Sequence, residues 1–354
     1  MAESLSFPLA LCLFVVSAGA IWIAGVFLSD TTDVLSTRLK LGEALGGLIL
    51  LAIVTNLPEI AITASAALNH DLGIAIGNIL GGIAIQTVVL VLLDIFGLGR
   101  SDPLSYRAAS LVLVVEGLLV VAVLVVVLIG TQLPGNLIAY RVTPPSILIA
   151  MLWLAGLWLV GRARQHLPWH DDGTAPDGQV PPRGVAEQRK DAYAREQGYG
   201  LGRVILIFAI ASMVTLLAGV ALEQTSEVIA DHFGMRGVVF GATVLAAATS
   251  LPELSTGLTS IRLGDYQLAV SDIFGGNAFL PVLFLMATLL SGEAVLPAAQ
   301  KTDIYLTALA ILLTVVYLCG MLFRPRRQIG RMGIDSLLVL LLYCLGIVGL
   351  AFIK

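Results

Sequence analysis

The residues best suited to chemistry come in two nearly identical sets. Ala52 to Glu59 reads Ala-Ile-Val-Thr-Asn-Leu-Pro-Glu, and Ala246 to Glu253 reads Ala-Ala-Ala-Thr-Ser-Leu-Pro-Glu. Ungapped alignment of residues 52–84 with 246–278 gives 11 identities in 33 positions, including Asp71 on Asp265 and Gly81-Gly82 on Gly275-Gly276. Proline has no amide hydrogen, so Pro58 cannot bond the carbonyl of Val54, nor Pro252 that of Ala248. Each copy therefore offers a bared carbonyl, hydroxyls (Thr55; Thr249 and Ser250), the Asn56 amide and a carboxylate, Glu59 or Glu253. This is an oxygen cage for a hard cation. Calcium takes six to eight oxygens in irregular geometry, whereas soft metals call for Cys or His. The four histidines (His70, His166, His170, His232) all fall in expected loops.

Both acids lie in long apolar runs, where a carboxylate costs about 2.5–3.5 kcal/mol on the insertion scale. No basic residue falls within an expected span core to offset them, so a bound cation or a proton must. Two facing carboxylates also let protons compete with metal. On the following segments, Asn78 and Asp272 occupy equivalent positions and join the candidate ligands, with Gln86 and Asn277 leaning structural.

The elements that position these groups follow from composition. Of the 354 residues, 58% are hydrophobic and 12% charged, with a mean hydropathy of +0.95. That is an integral membrane protein. The net charge of −4 gives no reason to expect nucleic acid. Cys12, Cys319 and Cys344 suggest neither disulfides nor a zinc site. No nucleophile motif or metal-binding histidine pair points to an enzyme. The N-terminal run lacks a basic region and reads as a span rather than a signal peptide.

Runs of about 20 apolar residues predict ten all-α transmembrane spans: 9–28, 42–68, 72–96, 108–130, 146–163, 202–222, 236–261, 266–290, 303–323 and 334–353. Residues 1–163 and 202–354 form two five-helix repeats, and the Pro-, Gly- and charge-rich stretch 164–201 is a cytoplasmic linker. With both termini outside, the inward loops hold 16 of the 20 Lys and Arg, as the positive-inside rule requires. The motif copies lie on spans two and seven, an odd number of crossings apart, so they face opposite ways: a 5+5 inverted-topology repeat with Glu59 and Glu253 meeting near mid-membrane. Glu116, inside span four, has no acidic counterpart in the other half and is a minor candidate for relaying protons. The Asp171, Asp172 and Asp177 group lacks EF-hand spacing.

These residues resemble the cation/calcium exchanger superfamily, whose repeats read Gly-Thr-Ser-x-Pro-Glu and then Gly-Asn-x-x-Gly-Ser-x-x-x-Asn/Asp. The resemblance falls on Thr55, Pro58 and Glu59, and on Thr249, Ser250, Pro252 and Glu253. It implies a secondary-active antiporter that moves Ca2+ in exchange for Na+ or H+ by alternating access, with spans 9–28 and 202–222 moving against the rest. The implied partners are inorganic cations and membrane lipid, with no cofactor and no obligatory protein partner. The setting would be a prokaryotic cytoplasmic (inner) membrane. The departures are Gly82 and Gly276 at the family serine, Gln86 and Leu280 at the Asn/Asp position, and Asn56 for a serine. Asn56 is closer to proton-coupled members. A passive channel, an intramembrane hydrolase and a non-transporting cation-binding relative are the alternatives.

Overall fold

The computed structural model describes residues 5–38, 48–99, 101–165, 167, 200–235, 237–262 and 264–353. The expected linker lies almost entirely outside the described residues, and Asp171, Asp172 and Asp177 with it.

The chain is helical almost throughout. In order come α1 (Phe7–Arg38), α2 (Leu48–Thr55), α3 (Leu57–Leu68), α4 (Leu72–Gly97), the short α5 (Leu104–Ala108), α6 (Leu111–Thr131) and α7 (Pro144–Gln165). There follow α8 (Leu201–His232), α9 (Gly237–Phe240), a π-helical turn over Gly241–Leu245, α10 (Ala246–Thr249), α11 (Leu251–Arg262) and α12 (Tyr266–Phe279). The chain ends with α13 (Leu283–Ser291), α14 (Lys301–Phe323), a two-stranded hairpin of β1 (Gln328–Ile329) and β2 (Met332–Gly333), and α15 (Ile334–Phe352).

Among the described residues, eight helical stretches are long and apolar enough to cross a membrane: Phe7–Thr32, Leu72–Gly97, Leu111–Thr131, Pro144–Arg164, Leu201–His232, Tyr266–Ser291, Lys301–Phe323 and Ile334–Phe352. They match eight of the ten expected spans. The other two, 42–68 and 236–261, carry the duplicated motif and are not continuous helices. Each is interrupted just before its proline, because the missing amide hydrogen leaves the ladder without a bond at that turn.

Burial sorts these helices into layers. In its most apolar stretch α4 is 78% buried, against 33% for α1 and 28% for α7 and α8. Central α4 packs against α3, α11, α12, α14 and α15, and α6 joins α12 and α14 around one large apolar core that includes Leu80, Leu90, Phe274, Phe284 and Tyr317. Helices α1 and α8 lie against each other on one side, α1 touching α11 and α8 touching α3. Their outer faces display Val15, Val16, Ile23, Leu206 and Leu217. Water would not tolerate such faces on two neighbouring helices, and lipid does.

Several joints recur in both halves. Asp71 (φ −94°, ψ 71°) caps α4 by accepting the Ile74 amide, and Asp265 (φ −95°, ψ 76°) caps α12 by accepting that of Leu268. Aspartate is a favoured cap because its carboxylate satisfies an amide with no helical partner. A tight turn precedes the last helix of each half: Ala139 faces Val142, and Ile329 faces Met332. The intervening residues all have positive φ (Tyr140 50°, Arg141 60°, Gly330 60°, Arg331 70°), the signature of two-residue hairpin turns.

Candidate functional site

The duplicated motifs build two equivalent helix breaks. Asn56 (φ −88°, ψ 17°) separates α2 from α3, and Ser250 (φ −82°, ψ 7°) separates α10 from α11. Both adopt the sparsely populated bridge region. The next helix restarts in the same way in each: Ile60 N–H donates to the Asn56 carbonyl at 3.0 Å, and Leu254 N–H to that of Ser250 at 3.1 Å. Each break is braced from behind by a side chain. Asn56 Nδ2 donates to the Ala52 carbonyl at 2.6 Å, and Ser250 Oγ to that of Ala246 at 2.8 Å. Thr55 Oγ1 reaches Leu51 O at 3.1 Å, and Thr249 Oγ1 reaches Ala246 O at 3.1 Å.

Glu59 and Glu253 follow the breaks, and both are fully buried. Thr249 and Gln86 stand beside the Glu59 carboxyl, while Thr55, Glu59 and Asp272 stand near that of Glu253. Each glutamate thus faces the threonine of the other copy. Neither Glu59 oxygen has a hydrogen-bond partner, nor does Glu253 Oε2. The ion pairs His70–Glu293 and Arg164–Glu116 do not reach these acids. The buried Val54 and Ala248 sit one turn before the prolines.

The equivalent pair Asn78 and Asp272 differ in role. Asn78 Nδ2 donates to the Glu59 backbone carbonyl and to Thr63 Oγ1, each at 3.3 Å, which braces α4 against α3. Asp272 accepts from Thr256 Oγ1 at 2.5 Å and from Thr55 Oγ1 at 3.5 Å, so its carboxylate touches both halves. Among the described residues no three acidic, histidine or cysteine side chains converge tightly enough to hold a metal alone. A cation here would need hydroxyl, amide and carbonyl oxygens as well.

Gln86 is more central than its sequence position suggests. Its Nε2 donates to Asn56 Oδ1 at 3.1 Å and to Glu253 Oε1 at 3.3 Å, joining the break of one half to the acid of the other. The departure at Gly276 has a steric cause. A β-carbon there would stand 2.7 Å from Asn56 Nδ2 and 3.4 Å from Gln86 Oε1. The larger amides at 56 and 86 occupy the space a residue-276 side chain would need. Opposite, Gly82 faces Leu280 across 3.5 Å, the equivalent pairing on the other side. Asn277 Nδ2 donates to Thr87 Oγ1 at 3.4 Å, a contact between α12 and α4.

Two features lay outside the sequence reading. Thr256, which holds Asp272, carries no signal of its own in the sequence, because its cross-helix partner is 16 residues away on the next helix. Arg164 falls in the expected linker, yet α7 continues through it. The guanidinium reaches Glu116 Oε1 at 3.1 Å, and Ser271 Oγ donates to Glu116 Oε2 at 2.6 Å. Glu116 is therefore a buried carboxylate compensated by a partly exposed guanidinium rather than an uncompensated acid.

Comparison with known proteins follows the same lines. The chain is 29% identical over 300 residues to the inner membrane protein YrbG of Escherichia coli (strain K12), spanning 82% of each chain. Its fold matches the crystal structure of the H+/Ca2+ exchanger CAX with a TM-score of 0.66 at 13% identity, covering 98% of this chain and 82% of that one. It also matches the sodium-calcium exchanger NCX_Mj with a TM-score of 0.61 at 18% identity, covering 99% and 100%. The family profile described as sodium/calcium exchanger protein matches residues 9–162 and 203–352, so both motif copies with their buried glutamates lie inside it, and the chain belongs to the sodium/calcium exchanger family.

Proposed function

We propose that this protein is a secondary-active antiporter that carries Ca2+, or a similarly hard cation, between Glu59 and Glu253 by alternating access. The observation that carries this reading is the cross-facing of two fully buried glutamates, each beside the other copy's threonine and neither in an ion pair among the described residues. Thr55, Thr249 and the carbonyls of Val54 and Ala248 complete the cation's oxygen shell. Asp272 adds charge beside Glu253, while Asn56, Ser250 and Asn78 hold the breaks open. Empty, the two carboxylates repel in a low-dielectric interior, so the site crosses loaded with either the metal or its counter-ion.

In this reading residues 1–163 and 202–354 are the two inverted five-helix repeats, with the broken helices as their second members and 164–201 as a cytoplasmic linker. Both termini face outward from a prokaryotic inner membrane. Helices α1 and α8 form the moving layer: they pack on each other and lie over the two prolines.

Protons are the counter-ion this site favours. The family hydroxyls are replaced by Gly82 and Gly276, and Gln86 spends its amide on Asn56 and Glu253. That leaves few spare oxygens for sodium, whereas two close carboxylates accept protons readily. Uptake of radiolabelled Ca2+ into proteoliposomes, under an outward proton gradient or an outward sodium gradient in parallel, tests this. Uptake driven by protons alone supports the assignment, uptake driven by sodium reverses it, and uptake under neither removes the calcium-antiport reading.

A further inference from the structure

A second group of buried oxygens lies where the loop after α4 meets the turn before α15. Asp94 accepts the Leu104 amide at 2.8 Å and the Gly333 amide at 2.6 Å. Asp335, in the first turn of α15, is 6% exposed, and neither carboxylate oxygen has a hydrogen-bond partner. A β-carbon on Gly333 would stand 2.5 Å from Asp335 Oδ1 and 3.4 Å from Asp94 Oδ2, which puts those oxygens less than 6 Å apart. Ser105, Tyr317 and Ser336 are buried there too, and the Tyr317 hydroxyl has no hydrogen-bond partner. Ser105 stands beside Asp335, Ser336 beside Asp94, and Tyr317 within electrostatic reach of both acids.

A purely structural role accounts for only part of this. An acid in a first helical turn is favoured by the macrodipole, by about 0.3–1 kcal/mol. That does not explain a second buried carboxylate so near, nor a buried Tyr317 hydroxyl without a partner, which costs roughly 1–3 kcal/mol.

The other half of the chain supplies a control. Aligning the turn at Ala139–Val142 with that at Ile329–Met332 places Gly130 on Gly320, Val127 on Tyr317, Pro145 on Asp335 and Ser146 on Ser336. The joint is built alike in both: Gly130 packs against Pro145 as Gly320 packs against Asp335. The motif register places Thr288 on Asp94. The same joint therefore folds with proline and valine where this end has aspartate and tyrosine, so the fold does not require the polar set.

We infer that Asp94 and Asp335, with the hydroxyls of Ser105, Tyr317 and Ser336, form a second binding site for a hard divalent cation such as Ca2+, separate from Glu59 and Glu253. Two carboxylates balance a divalent charge, all donors are oxygen, and no His or Cys belongs to the group. An ion here ties the start of α15 to α4, the helix that carries Asn78 and Gln86.

The test is Tb3+ luminescence, excited through tyrosine and competed by Ca2+, on purified full-length protein in detergent carrying Glu59→Gln and Glu253→Gln. That background lacks both glutamates, so the result does not depend on whether they bind an ion. One saturable, Ca2+-competed site is expected to remain. Adding Asp335→Asn should weaken it by about tenfold or more through loss of ligand charge, and Tyr317→Phe should reduce the sensitised emission. If Asp335→Asn is not monodisperse, Ser105→Ala combined with Tyr317→Phe replaces it, with weakened binding again expected. Absence of saturable binding in the background, or binding unchanged by these substitutions, overturns the inference.

Discussion

Gly25 of α1 and Gly219 of α8 make the same contact from opposite halves of the chain. A β-carbon on Gly25 would lie 3.0 Å from Pro252 Cα, and one on Gly219 would lie 3.0 Å from the Pro58 carbonyl oxygen. Each glycine of the peripheral helix pair thus rests on the proline that breaks the other half's motif helix. The two glycines are separated by the same 194 residues that separate Glu59 from Glu253. Any movement of α1 and α8 over the site must pass through these two contacts.

Enlarging either glycine should therefore arrest movement more than it harms folding. Gly25→Val or Gly219→Val is expected to cut Ca2+ flux by about tenfold or more while costing roughly 1–3 kcal/mol of stability through overpacking. Proteoliposome uptake and thermal melting in detergent separate the two effects. Unaltered flux in both variants would show that α1 and α8 do not slide across the breaks.

The steric exchange between positions 56 and 276 gives a coupled prediction. Gly276→Ser alone places its β-carbon against Asn56 Nδ2, so Ca2+ binding should weaken by about tenfold or more. Adding Asn56→Ser removes the obstruction and should recover much of the loss. A double-variant cycle with no recovery would mean that the two residues do not share this space.

Gln86 carries a third prediction. Gln86→Leu copies its counterpart Leu280, but removes the amide that joins Asn56 to Glu253. Loss of a hydrogen bond to a charged group is worth about 1.5–3 kcal/mol, so the apparent Ca2+ affinity should fall by roughly ten- to a hundredfold. Equilibrium binding of radiolabelled Ca2+ reads this directly.

The Glu116–Arg164 pair should respond unequally to the loss of its two members. Arg164→Ala leaves a buried carboxylate without its cation, whereas Glu116→Gln leaves an amide that Ser271 can still approach. Arg164→Ala is expected to be the more destabilising, by about 1–3 kcal/mol once the partial exposure of the guanidinium is allowed for. Melting temperatures of the two variants decide the order.

Much of this arrangement was legible in the residues. Apolar runs long enough to span lipid located eight long helices, since length and hydropathy alone set that signal. The duplicated Thr-x-Leu-Pro-Glu marked both breaks, because proline's missing amide acts locally. What the sequence withheld depends on which helix faces meet. Hydrophobic periodicity cannot show that Gln86 reaches Glu253, that Thr256 holds Asp272, or that Arg164 stays helical long enough to meet Glu116. The glycine at 276 reads in the sequence as a lost ligand, whereas in the structure the Asn56 amide occupies the space that its side chain would fill.

The most direct measurement is Ca2+ uptake by proteoliposomes containing Glu59→Gln or Glu253→Gln, each reconstituted beside the unsubstituted protein at matched protein content. If the cation is shared between the two carboxylates, either substitution alone should abolish gradient-driven uptake while leaving the protein folded and monodisperse. Full uptake in either variant would contradict a site built from both.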